Sequence, residues 1–117
     1  MKVYAYANCD TCRKALKHLE AGKHSVELIP IREQPPTKTE IKTMLKIYDG
    51  KIGKLFNTSG RDYKEMKLAD KLPKMDLGKA IDLLSQNGNL VKRPFVLAGN
   101  TGAVGFRIEE WKQKGLR

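Results

Sequence analysis

The sequence predicts an α/β domain on a mixed four-stranded sheet, and three observations carry that prediction. The chain opens with strand, helix, strand; it closes with two short apolar strands and a helix; and the stretch between has apolar residues at helical spacing. Its 117 residues suffice for one domain and are too few for two.

Residues 2–6 (KVYAY) combine β-branched and aromatic side chains and read as the first strand. Asn8 to Asp10 break it. From Thr11 to Ala21, Ala15, Leu16 and Leu19 share one helical face and Lys14, Lys17 and Glu20 the other, with Gly22 placed to end the helix. Residues 25–30 (SVELIP) form the second strand, completing a βαβ unit with a right-handed crossover. After the Gln34-Pro35-Pro36 turn, Thr37-x-x-Glu40 matches a capping box. Ile41, Met44, Leu45 and Tyr48 follow at amphipathic spacing. Residues 51–75 read as short helical turns broken by Gly53, Gly60 and Pro73. Asp76 is placed to cap a helix with Leu77, Ala80, Ile81 and Leu84 inward, and Gly88 lies past its end. Phe95–Ala98 and Ala103–Phe106 read as a hairpin joined by the four residues Gly99–Gly102, and a last helix around 108–114 turns Ile108 and Trp111 inward. The outer βαβ and ββα units match a thioredoxin-like core in a single domain, 1–117, with a helical region inserted at about residues 37–90.

The formal net charge is +10, from 23 Lys and Arg against 13 Asp and Glu, spread from Lys2 to Arg117. Such a field favours anionic partners: small oxyanions, nucleic acid or an acidic protein face. Residues 1–7 lack the apolar core and cleavage site of a signal peptide, and no run approaches the roughly 18 apolar residues of a membrane span, so a cytoplasmic protein without membrane contact is expected. Thiols stay reduced in that compartment, which argues against a permanent disulfide. There is no helix-turn-helix, zinc-finger or aromatic RNA-binding signature, so direct nucleic-acid binding ranks below thiol chemistry.

Cys9-Asp10-Thr11-Cys12 stands at the strand-to-helix junction. The first N–H groups of a helix have no internal partner and carry partial positive charge, so a thiolate there is stabilised. Cys9 falls at or just before the N-cap, and Cys12 one turn later, in reach of a disulfide formed on Cys9. Arg13 and Lys14 add positive charge; Asp10 opposes it. Zinc is disfavoured, because His18 and His24 give C-x2-C-x5-H-x5-H without the usual spacer. Two inert buried cysteines are the structural alternative. Arg93-Pro94 precedes the strand at Phe95; Pro is tolerated at that point because no ladder donor is lost. A cis Pro94 facing the cysteines is the functional reading, a strand-entry turn the structural one. Arg93 can offer a two-pronged donor to an oxyanion, and Arg107 stands before the last helix.

YANCDTCRKALKHLE, LFNTSGRDYKEM, NGNLVKRPFV and VGFRIEEW, in that order over nearly the whole chain, resemble the arsenate reductase family of the glutaredoxin-coupled type, which includes the Spx-type transcriptional regulators. The resemblance implies a thioredoxin core with a helical insertion. It implies Cys9 as the catalytic cysteine, Arg93 as an oxyanion-holding arginine, and Arg107 as a second one. This chain departs from the family in three places. Cys12 stands where the reductases have Ser, which allows an internal disulfide. Asn57 stands near a further family arginine, with Arg61 close by in sequence. Ala7 stands where a Pro precedes the catalytic cysteine. Arsenate itself is therefore expected to be a poor substrate.

Two functions follow from the resemblance. One is a thiol-dependent reductase acting on an arsenate-like oxyanion or a glutathione mixed disulfide. It needs no bound cofactor, with glutathione, glutaredoxin or thioredoxin as external reductant. The other is a Spx-type regulator that docks on RNA polymerase and uses the CxxC pair as a redox switch. A monomer is expected in either case.

Overall fold

The computed structural model describes residues 1–117. In chain order the elements are β1 (Lys2–Ala5), α1 (Asp10–Ala21), β2 (Glu27–Pro30), α2 (Lys38–Ile47), α3 (Arg61–Glu65), α4 (Leu68–Lys71), α5 (Leu77–Gln86), β3 (Phe95–Ala98), β4 (Thr101–Val104) and α6 (Ile108–Gln113). Single 3-10 turns lie at Ile52–Leu55, Leu72–Lys74 and Gly88–Leu90. The sheet order is β2-β1-β3-β4, with β1 parallel to β2 and antiparallel to β3, and β3 antiparallel to β4. This is the mixed four-stranded, thioredoxin-like arrangement that the element order predicts.

Successive strand residues point to opposite faces, and each face has its own core. Val3, Ala5, Val96 and Ala103 pack with Ala15 and Leu19 of α1 and Trp111 of α6. Tyr4, Phe95 and Val104 pack on the other face with Ile41, Met44 and Leu84 of α2 and α5. The sheet therefore lies between α1 and α6 on one side and the helical segment on the other. Helix α2 starts as its sequence dictates. The Thr37 hydroxyl accepts from the Glu40 N–H at 3.2 Å, and the Glu40 carboxylate accepts from the Thr37 N–H at 3.0 Å.

Several local expectations are corrected. The hairpin turn is two residues long, because Thr101 and Gly102 pair with Ala98 and Leu97. Gly102 is a strand residue held to glycine by crowding: a Cβ would come within 2.7 Å of the Val96 carbonyl oxygen. Gly105, at φ +71°, ends β4 in the left-handed region, so the strand cannot run on to Phe106. Gly22 ends α1 at φ −80°, and the left-handed residue is Lys23; a Cβ on Gly22 would overlap the Arg117 carbonyl. Gly53 and Pro73 lie inside 3-10 turns instead of breaking them. Asp76 occupies the N-cap of α5 without a side-chain bond, and Leu77 and Ile108 are exposed, whereas Trp111 is fully buried. Helical spacing marks a face, and the ends of that face run out into solvent.

Candidate active site

Strand pairing assembles the site. Tyr4 of β1 lies opposite Phe95 of β3, so the exit of β1 and the entry of β3 meet at one end of the sheet. Tyr6 to Cys9 leave there, and Arg93 and Pro94 arrive there. The Arg93–Pro94 peptide is cis, Pro94 is buried, and its carbonyl accepts from the Gly105 N–H at 2.9 Å.

Cys9 is the N-cap of α1, with extended backbone at φ −105° and ψ 118°. Its carbonyl accepts the first helical bond, from the Arg13 N–H at 3.0 Å. Its sulfur accepts from the Cys12 N–H at 3.4 Å, so a cysteine sulfur takes the capping place more often held by a hydroxyl or carboxylate oxygen. Burial alone would push the Cys9 thiol up. The Cys12 backbone N–H, the Cys12 thiol and the Arg93 guanidinium beside the sulfur outweigh that, and the thiol sits below its ordinary range. Cys12 behaves oppositely. It is fully buried in the core under α1, and burial, together with the neighbouring Cys9, pushes its thiol up to about 11. One cysteine is thus partly exposed and easily ionised, the other enclosed and protonated at neutral pH.

A cleft of about 370 Å³ opens at Cys9. Arg93, Arg107 and Asn57 line it with Cys9, so four of the sequence-selected residues come together. Arg93 sits with its guanidinium carbon 5.3 Å from the centre of the Tyr6 ring, and its Nη1 is buried without a protein partner. A buried guanidinium N–H left open is costly unless a ligand completes it. Arg107 is the exposed N-cap of α6. Asn57 donates to the Asn89 carbonyl at 3.5 Å and packs against Gly60, where a Cβ would approach its Nδ2 to 2.7 Å. Arg13 does not join them; it is exposed and bonds the Ala7 carbonyl at 3.1 Å and the Asp10 carboxylate. Pro94 and Cys12 are buried and do not line the cleft.

Sequence reasoning passed over Thr11, Ser59 and Lys92, which also line the cleft. The signal was present in each case: Thr11 stands inside the Cys9–Cys12 loop, Ser59 in Asn-Thr-Ser-Gly, and Lys92 beside Arg93. Nothing in the sequence marks Tyr6 as the ring on which Arg93 rests. No cluster of three or more His, Cys, Asp or Glu side chains is placed to hold a metal ion, and no helix is long and apolar enough to cross a membrane. His18 instead meets the Leu116 carbonyl at 2.8 Å.

The sequence model of the ArsC family matches residues 4–114. The uncharacterized protein YusI of Bacillus subtilis is 39% identical over 110 residues, covering 94% of this chain and 93% of its own. Among solved structures, an ArsC family related protein from Bacteroides fragilis superposes with a TM-score of 0.90 at 40% identity, covering 99% of this chain and 96% of its own. A protein of Streptococcus mutans described as a possible arsenate reductase gives 0.85 at 32% identity, covering 95% and 96%. More distantly, the global transcriptional regulator Spx of Listeria innocua is 25% identical over 109 residues, 92% of this chain and 81% of its own.

Proposed function

Since this chain belongs to the ArsC family, we propose that it is a thiol-dependent oxidoreductase in which Cys9 is the nucleophile, acting on an arsenate-like oxyanion or a glutathione mixed disulfide. The observation that carries this reading is the lowered Cys9 thiol, capped by the Cys12 N–H and flanked by Arg93, opening on a cationic cleft.

With a mixed disulfide, the Cys9 thiolate attacks the glutathione sulfur, the substrate thiolate leaves, and Cys9 holds glutathione through a new S–S bond. Cys12 then loses its proton and attacks the Cys9 sulfur. Glutathione leaves as thiolate, and the Cys9–Cys12 pair ends oxidised by two electrons. An external thiol, supplied by glutaredoxin, thioredoxin or glutathione, returns those electrons. With an oxyanion, the Cys9 thiolate bonds to the As(V) centre and an oxide leaves as water. A glutathione thiolate then attacks the Cys9 sulfur, releasing As(III) and leaving the same mixed disulfide. In both cases Arg93 and Arg107 are preorganised donors to the negative charge, and the open Nη1 of Arg93 supports that role. Asn57 offers a neutral amide where a further cation, beside Lys92, Arg93 and Arg107, would strengthen oxyanion binding, which favours the mixed disulfide over arsenate.

The test is thiol-coupled reduction of arsenate and of a glutathione mixed disulfide by wild type, Cys9→Ser and Cys12→Ser. The expected result is disulfide reduction lost in Cys9→Ser and dependent on added glutathione in Cys12→Ser. Equal turnover by wild type and Cys9→Ser would sink the proposal.

A second reading rests on the similarity to Spx and on the second thiol at Cys12. In it the chain is a regulator that docks on RNA polymerase, and a Cys9–Cys12 disulfide switches the docking. Absence of turnover in every variant, with redox-dependent capture of RNA polymerase, would select it.

A further inference from the structure

Arg93 is the cation beside the Cys9 sulfur, yet no carboxylate holds it. It enters none of the ion pairs of the fold, and its buried Nη1 has no partner. A long side chain left unheld spreads over many rotamers, and its charge is then seldom where the reaction needs it. The guanidinium of Arg93 instead lies over the Tyr6 ring, with its carbon 5.3 Å from the ring centre.

A carboxylate that fixes an arginine also cancels most of its field. Arg13, the residue after Cys12, shows this outcome: it is tied to the Asp10 carboxylate, and the pair offers Cys9 little net charge. An aromatic ring attracts a cation through its quadrupole and carries no net charge of its own. A guanidinium resting on a ring by its flat face also keeps its N–H edges for a sulfur or an oxyanion. A ring is therefore the support that fixes Arg93 and leaves its charge available.

Tyr6 is built to be such a support. It comes two residues after Tyr4, just past the end of β1, and packs half-buried against the core that Tyr4 enters. Its carbonyl accepts from the Cys9 N–H at 3.1 Å, and its hydroxyl accepts from the Asn8 Nδ2 at 3.4 Å. One residue thus ties Cys9 through its main chain and meets Arg93 through its ring. Arg32 lies over the same ring, at 4.6 Å, but it is exposed and does not line the Cys9 cleft, whereas Arg93 does.

We propose that Tyr6 is a positioning residue for the chemistry at Cys9: its ring holds the Arg93 guanidinium at the Cys9 sulfur without neutralising it. The proposal rests on the reading of Cys9 as nucleophile. Tyr6 takes part in no bond-making step; it acts through Arg93.

Fluorine withdraws electron density from the face of a ring and changes its shape little. Phenylalanine and its mono-, tri- and pentafluoro forms are therefore placed at position 6 of the full chain. The midpoint of Cys9 alkylation by iodoacetamide against pH is measured for each. Tyr6→Phe is expected to keep the wild-type midpoint, because the ring face is retained and only the Asn8 contact is lost. Along the fluorinated series the midpoint is expected to climb, by about half a pH unit or more at the pentafluoro form, as the hold on Arg93 weakens. The same series is expected to be flat in Arg93→Gln and to keep its slope in Arg32→Gln. Lys92 and Arg107 line the cleft in every variant and contribute a constant background. A flat series in the otherwise wild-type chain, a slope that survives Arg93→Gln, or a slope lost in Arg32→Gln would overturn the role of Tyr6. A lowered wild-type midpoint with a flat series removes that role and leaves the ionised Cys9 standing. A wild-type midpoint at the ordinary thiol value of about 8.5 removes the nucleophile, and the positioning role with it.

Discussion

The backbone N–H of Cys12 points at the sulfur of Cys9 from 3.4 Å, so the second cysteine of the pair stabilises the first through its main chain while its own side chain lies in the core. The two thiols are thereby driven apart: Cys9 below the ordinary range and Cys12 up to about 11. Paired groups pushed in opposite directions by their surroundings divide the labour of a reaction between them.

The first prediction concerns pH. Alkylation of Cys9 by iodoacetamide stays fast below the ordinary thiol pKa of about 8.5 and slows only as pH falls through the lowered Cys9 value. The same shift adds stability above the ordinary thiol pKa, and that stability is lost as pH falls through the lowered value. Cys12 works the other way, costing stability as pH rises from the ordinary value through about 11. A Cys9 alkylation profile identical to that of a free thiol would contradict this electrostatic account.

Arg93 supplies both charge and hydrogen bonds to the cleft. Charge-assisted bonds of this kind contribute about 1.5–3 kcal/mol each, so Arg93→Gln should weaken binding of a small oxyanion roughly ten- to a hundredfold. It should also raise the Cys9 pKa, because one of the groups lowering it is removed. Arg93→Lys should recover the pKa better than the binding, since an ammonium keeps the charge and loses the fork. Parallel alkylation profiles and oxyanion titrations separate the two effects.

Asn57→Arg adds a cation to a cleft that already holds Cys9, Arg93 and Arg107. Arsenate turnover is expected to rise about tenfold, the value of roughly one charge-assisted contact. An unchanged rate in steady-state assays would show that position 57 does not reach the oxyanion.

Glu40 ties the helical segment to the sheet. It accepts from the Tyr4 hydroxyl at 2.6 Å, the Thr37 N–H at 3.0 Å and the Lys2 ammonium at 3.2 Å. Burial would raise its carboxyl, but these donors outweigh burial and hold it below the usual carboxylate range. Its stabilisation is therefore present above the unfolded carboxyl value of about 4.3 and is lost as pH falls through the lowered folded value. Glu40→Gln should cost about 1–3 kcal/mol in urea unfolding near neutral pH, with a smaller difference in acid. A difference that does not shrink at low pH would assign the effect to packing instead.

Trp111 anchors the loop that borders the cleft. It is fully buried, and its Nε1–H donates to the Gly105 carbonyl at 3.1 Å. Trp111→Phe keeps an apolar ring and deletes the donor, so stability should fall by about 1–3 kcal/mol. Amide exchange at Gly105 and Phe106 should quicken more than in β1. Uniform quickening across the sheet would point to general loss of packing.

The parts of this molecule written in short stretches of sequence were legible without coordinates. The strand-to-helix transition placed Cys9 at the leading end of α1, Thr37 and Glu40 marked the start of α2, and Phe95–Ala98 stands as predicted. Each depends on residues a turn or two apart. The hairpin was misplaced because Gly102 reads as a turn residue, and its real constraint, contact with Val96 across the sheet, is invisible along the chain. Likewise only the pairing of Tyr4 with Phe95 carries Arg93 to Cys9, whereas Arg13 is held away from the cleft by local contacts with Asp10 and the Ala7 carbonyl. Local periodicity and capping chemistry determined which residues could act; antiparallel register and side-chain direction, set by contacts between distant segments, decided which of them meet.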